Sequence, residues 1–425
     1  MLTHRAATVL GDIPSDWGRD LLRNFLEEQR GGDWGADDGE EALRILRSTN
    51  FTDCGDLNFS EVAVRYFSTV KASAFGLRSG DLLVERSGGG PTQPVGRVGF
   101  VADDLPGFWF SNFVQLLRAD DRKINPQYLS WLLLELHQSG IIERLQHQTT
   151  QMRNLDYRDY LRVYLPQPSR PEQETIVRAL AACSNCVTLA SKKLGTARRL
   201  KIALMQQLFK TGLPGRHHQF KETTLGEVPS AWDVVKLKKC GEWGSGGTPD
   251  RGNPNYWGGT IPWVKSGEVD YRPIKKTEEH ITEAGAASIS GALLTRGTLL
   301  VAMYGAGVTR GKAALLDVEA YINQAIAFFR GDESTLNEWL LYWFERNYEF
   351  VRTFAGGANQ DNLSLYLVKN LEIARPQPDE QDLIASILRE ASAMVDSLTE
   401  EISGLQRLRR SLLRSLVTGR VRVRI

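Results

Sequence analysis

The feature that most restricts the fold of this 425-residue chain is a pair of long helical patterns, 208 residues apart. In each pattern apolar residues recur at steps that alternate between four and three, which keeps them in one stripe along a helix and is typical of a coiled coil. The same step carries a basic residue in both patterns, Lys201 and Arg409. The apolar seam consists of Ile176, Leu180, Val187, Leu194, Leu204, Leu208, Ile384, Leu388, Val395, Leu398, Ile402, Leu405, Leu412 and Leu416.

Both patterns also have the boundaries of a helix. Pro171 suits a first helical position, where a missing N–H costs nothing, and Asp379 suits an N-cap in the second pattern. Gly212 and Gly419 close the two patterns, as glycine commonly does at helix C-termini. Two such helices in one chain most simply bury their seams against each other, and we predict that they pack as an antiparallel coiled coil.

The helical pair belongs to an internal repeat. LGDIPSDW begins at Leu10 and LGEVPSAW at Leu225, and LRVYLPQPSRPEQETI from Leu161 is answered by LEIARPQPDEQDLI from Leu371. Self-similarity at one long period is the signature of a duplicated structural unit. The chain therefore runs globule, helix, globule, helix, and antiparallel packing of the helices would relate the two globules by a pseudo-twofold axis.

The two globules share landmarks rather than detailed sequence. GDLLVERSGGG from Gly80 matches GTLLVAMYGAG from Gly297, SNFVQLLR matches INQAIAFFR, and TTQMRNL matches GANQDNL. Short β-type runs, glycine turns and helical stretches such as PQYLSWLLLELHQSG and LNEWLLYWFERNYEF predict an α+β fold. The framework matches while the loops differ, as in two copies of one scaffold that bind different targets.

The composition of the chain bears on its cellular location and on whether it binds a metal. Hydrophobic residues make up 42% and charged residues 24% of the chain, and no apolar run approaches the roughly 18 residues of a membrane span. The first residues lack a signal-peptide core, so we expect a cytoplasmic protein with no membrane association. Cys183 and Cys186 form a CxxC, but no second pair lies at zinc-ligand spacing, and we expect free thiols and no metal.

The net charge is only +1, yet basic residues are concentrated at the ends of the two helical patterns. Eight basic residues and no acid lie between Lys192 and Lys221, and seven arginines and no acid lie between Ser403 and the end. One interpretation is a solvated helix face followed by a basic tail. The other is a pair of surfaces that meet phosphates or an acidic partner.

Two short motifs resemble functional loops without completing them. NPNYW at Asn253 is similar to the Asn-Pro-Pro-Tyr loop of adenine methyltransferases but lacks the second proline, which favours a polar turn before the strand TIPWVKS. YGAGVTRGKAA at Tyr304 has Ala306 and Ala313 where a phosphate loop needs Gly and then Ser or Thr. Since no other catalytic signature occurs, we expect a chain that is not an enzyme and holds no cofactor.

Polar side chains cluster beside the glycine-rich loops. Arg and Lys suit guanine edges, Asn and Gln suit adenine, and Ser and Thr suit phosphates, so these clusters favour nucleic-acid contact over ordinary loop polarity. In the first globule they are Arg86, Ser87, Thr92, Gln93, Arg97, Gln148, Thr149, Gln151, Arg153 and Asn154. In the second they are Lys265, Tyr304, Thr309, Arg310, Lys312, Asn359, Gln360 and Asn362.

The LGxxPSxW openings, the Pro-Gln-Pro turns before Glu-Gln and the two matched helices together resemble the specificity (S) subunit of type I restriction–modification systems. YWGGTIPWVKSGEV from Tyr256 resembles the opening of a target recognition domain, and PQPDEQDLIASIL from Pro376 resembles the start of a conserved helical region. The first globule departs from this pattern, because no YWGG…IPW stretch follows LGDIPSDW. The resemblance implies target recognition domains over 1–165 and 216–375, and conserved helical regions that form the coiled-coil spacer over 166–215 and 376–425.

The resemblance also implies a function. Each globule would read one half of a bipartite double-stranded DNA sequence, with the coiled coil setting the spacer, and the unequal loops predict an asymmetric site. The partners it implies are two methylation subunits, which carry S-adenosylmethionine and methylate adenine at N6 after flipping it out, and motor-nuclease restriction subunits.

Two other classes of protein stay open. A divergent methyltransferase would bind S-adenosylmethionine as an isolated chain, and the incomplete motifs argue against it. A coiled-coil interaction scaffold without DNA recognition would bind protein through its globules. Salt distinguishes the scaffold from a DNA-binding subunit, because phosphate contacts make DNA affinity fall steeply with ionic strength.

Overall fold

The computed structural model describes residues 6–89, 93–148, 152–305, 308–331, 334–354 and 363–424. The chain divides into two compact units: unit 1 comprises residues 1–190 and 401–425, and unit 2 comprises residues 191–400. Each unit therefore contains one globule and one part of each long helix. Within the described residues, no helix is both long and apolar enough to cross a membrane.

Unit 1 is built from short strands and a few helices. Its strands are β1 (Ala6–Thr8), β2 (Gly11–Ile13), β3 (Gly18–Leu21), β4 (Leu26–Gly31), β5 (Glu41–Leu46), β6 (Ala63–Phe67), β7 (Asp81–Glu85), β8 (Ser87–Gly89), β9 (Val98–Phe100), β10 (Phe108–Phe110), β11 (Val114–Ala119), β12 (Gln146–Gln148), β13 (Arg153–Leu155) and β14 (Tyr164–Gln167). Its helices are α1 (Thr69–Ser73), α2 (Pro126–Gln138), α3 (Tyr157–Tyr160), the first half of α4 (Arg170–Thr211) and the end of α9 (Pro378–Val417). The sheet orders are β4-β11-β7-β9, β10-β5-β6, β12-β13-β8, β14-β3 and β1-β2.

Unit 2 has the same kind of architecture. Its strands are β15 (Phe220–Thr223), β16 (Gly226–Pro229), β17 (Asp233–Lys236), β18 (Gly241–Ser245), β19 (Trp257–Val264), β20 (Glu279–Ile281), β21 (Leu299–Ala302), β22 (Ala313–Leu315), β23 (Tyr321–Ile322), β24 (Ile326–Gly331) and β25 (Glu372–Arg375). Its helices are α5 (Glu283–Ala287), α6 (Ser334–Arg346), α7 (Tyr348–Phe354), α8 (Leu365–Asn370) and the first half of α9 (Pro378–Val417), besides the end of α4. The sheet orders are β18-β24-β21-β22, β20-β19-β23, β17-β25 and β15-β16.

The four-stranded sheets of the two units match strand for strand. Strand β7 lies within the sequence landmark GDLLVERSGGG, which begins at Gly80. It pairs with β11 so that Glu85 lies opposite Val114. Strand β21, from the matching Gly297 landmark, pairs with β24 so that Ala302 lies opposite Ile326. Both pairs are antiparallel and occupy the centre of their sheets, so the sequence landmarks mark equivalent strands.

The three-stranded sheets match as well. In unit 1, β10 runs parallel to β5 and places Phe110 beside Leu46; in unit 2, β23 runs parallel to β19 and places Ile322 beside Val264. Strand β19 carries the YWGG…IPW stretch, for which the first globule has no counterpart in sequence. Its structural counterpart is β5, whose sequence EALRIL shares almost nothing with it.

The predicted globular helices are present with small changes. Helix α2 begins after Asn125, whose side chain accepts a hydrogen bond from the Tyr128 N–H at 3.0 Å, and it ends two residues before the predicted stretch does. The stretch LNEWLLYWFERNYEF is divided between α6 and α7 at Asn347, whose side chain donates to the Trp343 carbonyl at 2.8 Å. Both α2 and α6 pack on the four-stranded sheet of their own unit.

The long helices end where the sequence predicts, but both begin earlier: α4 starts at Arg170, one residue before Pro171. Gly212 and Gly419 have φ values of +73° and +68°, the left-handed conformation that stops a helix. Asp379 is not the N-cap that we predicted: α9 starts at Pro378, and the Gln377 carbonyl accepts the first helical hydrogen bonds. The Asp379 carboxylate instead pairs with Arg216, which lowers the pKa of Asp379.

Every predicted seam side chain is at least partly buried. In unit 1, Ile176 and Leu180 of α4 belong to the same hydrophobic core as Leu416 of α9. In unit 2, Leu208 of α4 belongs to the same core as Ile384 and Leu388 of α9. The buried seam residues are Ile176, Leu180, Val187, Leu208, Ile384, Leu388, Leu398 and Leu416, and the partly buried ones are Leu194, Leu204, Val395, Ile402, Leu405 and Leu412.

Each repeated opening motif is bonded to the start of a long helix. In unit 1 the Trp17 indole N–H donates to Glu172 of α4 at 3.0 Å, and Arg422, which follows α9, donates to the same carboxylate at 2.7 and 3.0 Å. Arg422 also donates to both carboxylate oxygens of Asp16, at 2.9 and 3.0 Å. Glu172 is 2% exposed, so this buried charge is fully surrounded by donors from its own unit.

Unit 2 repeats this arrangement with different partners for the buried carboxylate. The Trp232 indole N–H donates to Glu380 of α9 at 3.0 Å, and the Leu213 backbone N–H donates at 3.1 Å. Where unit 1 uses Arg422, unit 2 places the His217 ring 2.9 Å from the Glu380 carboxylate, with Arg216 at 3.7 Å. The recurrence of LGxxPSxW and of Glu-Gln therefore has one structural cause.

Candidate nucleic-acid interface

Two predicted clusters of unit 1 meet in one small sheet. Strand β8 leaves the glycine-rich loop and pairs with β13, so that Ser87 lies opposite Asn154. Strand β13 pairs in turn with β12, where Arg153 lies opposite Gln148. We call these four residues together with Arg86 the first polar edge. Residues that are far apart in the sequence therefore share one surface of unit 1.

Arg86 is oriented by its neighbours. Its guanidinium donates to Gln115 Oε1 at 3.2 Å and lies 5.0 Å from the ring centroid of Tyr157. Burial raises the pKa of Tyr157 to about 12, so the phenol stays protonated at neutral pH and donates to Gln29 Oε1 at 2.8 Å. A guanidinium placed in this way over an aromatic ring keeps further N–H groups for a phosphate or a guanine.

Arg97, which the sequence assigned to the same surface, lies inside the fold. Its guanidinium forms an ion pair with Glu85 at 3.0 Å and also donates to the Ser48 and Phe51 carbonyls. The side chain of Arg97 is 11% exposed and that of Glu85 only 2%. The role of Arg97 in DNA binding stays a prediction. Its contacts indicate a structural role, because they join Glu85, the residue before Arg86, to the Ser48 and Phe51 carbonyls.

The other predicted residues of unit 1 differ in their exposure. Gln93 and Gln148 are exposed, whereas Ser87, Arg153 and Asn154 are partly buried. Arg153 also makes contacts of its own within the fold. Outside the described residues lie Thr92, Thr149 and Gln151.

The second polar edge comprises Lys265, Tyr304, Thr309, Arg310 and Lys312 of unit 2. Four of these five lie on the connection between the antiparallel strands β21 and β22, and Lys265 directly follows β19. Tyr304 is 37% exposed, and Arg310 makes contacts within the fold. The remaining predictions in this globule, Asn359, Gln360 and Asn362, lie outside the described residues.

Both lysines of the second polar edge are paired with carboxylates. Lys265 Nζ lies 2.6 Å from Glu278 and 3.4 Å from Glu279, and the hydrogen bond to Glu278 raises the pKa of Lys265. Lys312 forms an ion pair with Asp270, and its side chain is 19% exposed. Both lysine side chains are therefore held in fixed positions rather than projecting freely into solvent.

The two incomplete motifs have structural roles. Asn253 accepts a hydrogen bond from the Asn255 N–H at 3.1 Å and forms a turn immediately before β19, which confirms the predicted polar turn. Lys312 leads into strand β22, whereas the lysine of a phosphate loop lies at the start of a helix. Among the described residues no group of three His, Cys, Asp or Glu side chains could hold a metal ion.

Arg47 of unit 1 is a basic residue that was not among the predicted site residues. Arg47 follows the last residue of β5 as Lys265 follows that of β19, and both precede a 3₁₀ turn, Ser48–Asn50 and Ser266–Glu268. Arg47 donates from Nη2 to the Glu61 carbonyl at 3.2 Å, while its Nε is buried without a partner among the described residues. LRILRS and IPWVKS share only their last serine, so sequence comparison had no signal for this pair.

A second missed cation lies beside Lys265. Arg251 stacks on Trp257, with 3.8 Å between the guanidinium carbon and the ring centroid, and lies 5.1 Å from the Trp263 ring. It also pairs with Glu279 at 2.7 Å, the same carboxylate that Lys265 approaches. The YWGG…IPW stretch therefore contributes two aromatic rings that fix the position of a cation.

Comparison with known proteins agrees with this geometry. A family model described as the type I restriction modification DNA specificity domain matches residues 229–407. The type I restriction enzyme MjaIX specificity subunit of Methanocaldococcus jannaschii is 28% identical over 202 residues, a match that spans 46% of this chain and 46% of that protein. The putative MjaX specificity subunit of the same organism is 22% identical over 428 residues, spanning 98% of this chain and 96% of that one.

Solved structures share the fold over nearly the whole chain. The crystal structure of a type I restriction–modification S subunit from M. genitalium has a TM-score of 0.61 at 14% identity and covers 97% of this chain and 99% of its own. A chain from a study of complex assembly and conformational transition in the type I restriction–modification system has a TM-score of 0.59 at 17% identity, with coverages of 96% and 100%. This likeness shows that the chain has the fold of the type I restriction–modification S subunits, and the family model matches its residues 229–407.

Proposed function

We propose that this chain reads an asymmetric bipartite DNA sequence for a type I restriction–modification complex, with one half-site contacted by each polar edge. The observation that carries the proposal is that equivalent strands in the two units lead to different side chains. After β7 come Arg86 and Ser87, and after the equivalent β21 come Met303 and Tyr304. Equal scaffolds with unequal side chains suit a DNA sequence whose two halves differ.

The cations of the polar edges support phosphate and base contact. Arg86 lies over Tyr157, and Lys265 and Arg251 flank Glu279, so each charge is oriented by the fold. Fixed cations suit DNA contact, because a side chain that is already ordered loses little conformational freedom on binding. In this proposal the carboxylates beside the lysines keep them in place in the free protein.

The long helices would set the distance between the half-sites. We propose that α4 and α9 pack antiparallel as a coiled coil, because unit 1 joins the first half of α4 to the second half of α9 and unit 2 joins the opposite halves. The 42 residues of α4 span about 63 Å at 1.5 Å per residue. That length is sufficient to separate half-sites one helical turn of DNA apart, roughly 34 Å.

The same helices would dock the methylation subunits. Leu200 of α4 and Leu408 of α9 are each 51% exposed and occupy the same step of the repeat, and an arginine precedes each of them, Arg199 and Arg407. An exposed leucine beside a cation suits a partner surface with an apolar pocket and carboxylates. Two equivalent points agree with two methylation subunits, which would supply S-adenosylmethionine and N6-adenine methylation, while this chain is not catalytic. Motor-nuclease restriction subunits would join the same cytoplasmic complex.

The proposal is tested by single-molecule methylome sequencing of a host that expresses this chain with its methylation partner. Hosts that express either protein alone serve as controls. We expect a new bipartite N6-methyladenine motif only when both proteins are present. A stable complex that produces no new motif would favour the interaction scaffold instead.

Salt dependence gives an independent test with purified complex. We expect the affinity for the identified duplex to fall steeply with ionic strength, because phosphate contacts release counterions. Binding that is independent of salt, or equal for every duplex sequence, would contradict sequence-specific DNA recognition. S-adenosylmethionine bound by this chain alone would favour a methyltransferase.

A further inference from the structure

A carboxamide side chain lies in a turn beside each polar edge, and neither was among the residues predicted to bind DNA. Asn112 lies between β10 and β11 in unit 1, and Gln324 lies between β23 and β24 in unit 2. Both side chains are exposed. The surrounding backbone hydrogen bonds establish that the two positions are equivalent.

In unit 1 the turn around Asn112 is fixed on both sides. The Ser111 N–H donates to the Leu46 carbonyl at 2.9 Å, which ties the turn to the end of β5. The Arg86 N–H donates to the Phe113 carbonyl at 2.7 Å, which ties it to the end of β7. Asn112 therefore lies between the basic residue that follows β5 and the one that follows β7.

In unit 2 the turn around Gln324 has the same two bonds. The Asn323 N–H donates to the Val264 carbonyl at 3.1 Å, at the end of β19, and the Met303 N–H donates to the Ala325 carbonyl at 2.8 Å, at the end of β21. Since β19 is equivalent to β5 and β21 to β7, Gln324 occupies the place of Asn112. It is the one position in these turns where both units present an exposed carboxamide.

A glycine holds each turn against the neighbouring strand. A Cβ at Gly32 would overlap the Ser111 carbonyl oxygen, and a Cβ at Gly246 would overlap the Ile322 carbonyl oxygen. The two backbones therefore approach more closely than any other residue allows. This contact leaves the turn little room to move, so that the carboxamide projects from a fixed backbone.

The two carboxamides differ in their own contacts. The hydroxyl of Thr248 donates to Gln324 Oε1, which orients the amide, while Nε2 has no partner among the described residues. For the Asn112 side chain, no hydrogen-bond partner occurs in the part of the chain that the structure describes. Both therefore present hydrogen-bonding groups that the fold does not use.

We propose that Asn112 and Gln324 are specificity-determining residues, each reading one adenine, in opposite half-sites. This inference rests on the proposed function. A carboxamide donates to adenine N7 and accepts from N6 at the same time in the major groove, a pairing that no other base offers. Gln324 Oε1 keeps a second lone pair for N6 while it accepts from Thr248.

The test is methylome sequencing of hosts that carry the methylation partner and one variant of this chain, Asn112→Ala or Gln324→Ala. We expect one adenine position to become degenerate in one half-site with Asn112→Ala and in the other half-site with Gln324→Ala, with the spacer unchanged. Discrimination at that position should fall by about 5- to 150-fold. Each variant is the control for the other, and Thr248→Val should weaken only the half-site that depends on Gln324.

Purified complexes separate specificity from folding. Both side chains are exposed, so thermal unfolding of the variants should match that of the parent. If a variant complex no longer methylates DNA, its binding affinity is measured for a series of duplexes in which each base pair of the half-site is replaced in turn. Lost discrimination at one adenine supports the inference, and an equal loss of affinity on all duplexes overturns it. An unchanged motif in both variants also overturns it but leaves the proposed function intact, whereas a parent without any bipartite motif contradicts the proposed function itself.

Discussion

The indole N–H of Trp17 donates a hydrogen bond at 3.0 Å to Glu172, a carboxylate in the first turn of α4 that is 2% exposed. Trp232 makes the same bond, at the same distance, to Glu380 in the first turn of α9. Each opening motif thus fixes its globule to the beginning of the long helix that follows it in the chain. This relationship explains why the tryptophan and the glutamate recur together in the sequence.

Replacing Trp17 or Trp232 by phenylalanine removes this donor from a buried carboxylate. We expect each variant to lower the free energy of unfolding by about 1.5–3 kcal/mol, the range for hydrogen bonds to charged groups. Trp109→Phe and Trp339→Phe are matched controls, because their buried indole N–H groups have no hydrogen-bond partner among the described residues. Chemical denaturation measures the difference. Equal losses in all four variants would show that only ring packing matters.

Arg422→Ala removes the cation that joins Asp16 to Glu172. We expect a loss of about 1–2 kcal/mol, discounted because the Arg422 side chain is 42% exposed, and no loss for Arg424→Ala, another exposed arginine nearby in the sequence. Arg422 lowers the pKa of Asp16, so this pair stabilises the fold above the ordinary pKa of aspartate and loses its effect as the pH falls through the lower folded value. The difference between parent and variant should therefore shrink in acid; a difference that grows in acid would contradict this origin.

Gly32→Ala and Gly246→Ala place a methyl group against a backbone oxygen that cannot move without breaking its strand. We expect each to cost about 3 kcal/mol or more and to unfold the globule that carries it. Gly76→Ala and Gly267→Ala provide controls, because a Cβ at either position meets nothing within 4 Å. Thermal unfolding followed by circular dichroism distinguishes them. Tolerance of alanine at Gly32 or Gly246 would show that the turns at the polar edges are not rigidly held.

Leu200→Asp and Leu408→Asp test the docking of methylation subunits. Both leucines are half exposed, so the substitutions should leave the stability of this chain within about 0.5 kcal/mol of the parent. We expect each single variant to retain one methylation subunit and the double variant to retain none, as measured by native mass spectrometry of the co-purified complex. Seam substitutions such as Leu388→Asp would unfold the helices instead. Full occupancy in the double variant would place the docking surface elsewhere.

Local patterns in the sequence were sufficient to predict the two long helices and the equivalent central strands of the two globules. The 3-4 seam, the closing glycines and the landmark pair at Gly80 and Gly297 each depend on a periodicity or a backbone conformation that few residues can adopt. Such a periodicity or conformation restricts the residue types at particular positions, so it can be recognised in the sequence without knowledge of tertiary contacts. The long helices α4 and α9 therefore end where they were predicted to end, and the landmark strands proved to be equivalent.

The candidate site was harder to predict, because the partner of each side chain is chosen by tertiary contacts. Arg97 lies close to the glycine-rich loop in the sequence, but its side chain is largely buried in an ion pair with Glu85. Arg47 is equivalent to Lys265 only through strand pairing, and Asp379 was assigned as an N-cap although α9 begins one residue earlier and Arg216 binds its carboxylate. None of these outcomes depends on local sequence, so no local pattern could reveal them.

Whether each globule reads its own half of the DNA site can be measured by exchanging residues 225–375 for the corresponding segment of one of the specificity subunits that this chain resembles. Methylomes of the parent and the chimera are then compared in the same host with the same methylation partner. We expect a new sequence in one half-site, with the other half-site and the spacer unchanged. A motif in which both halves change together, or in which neither changes, would contradict it.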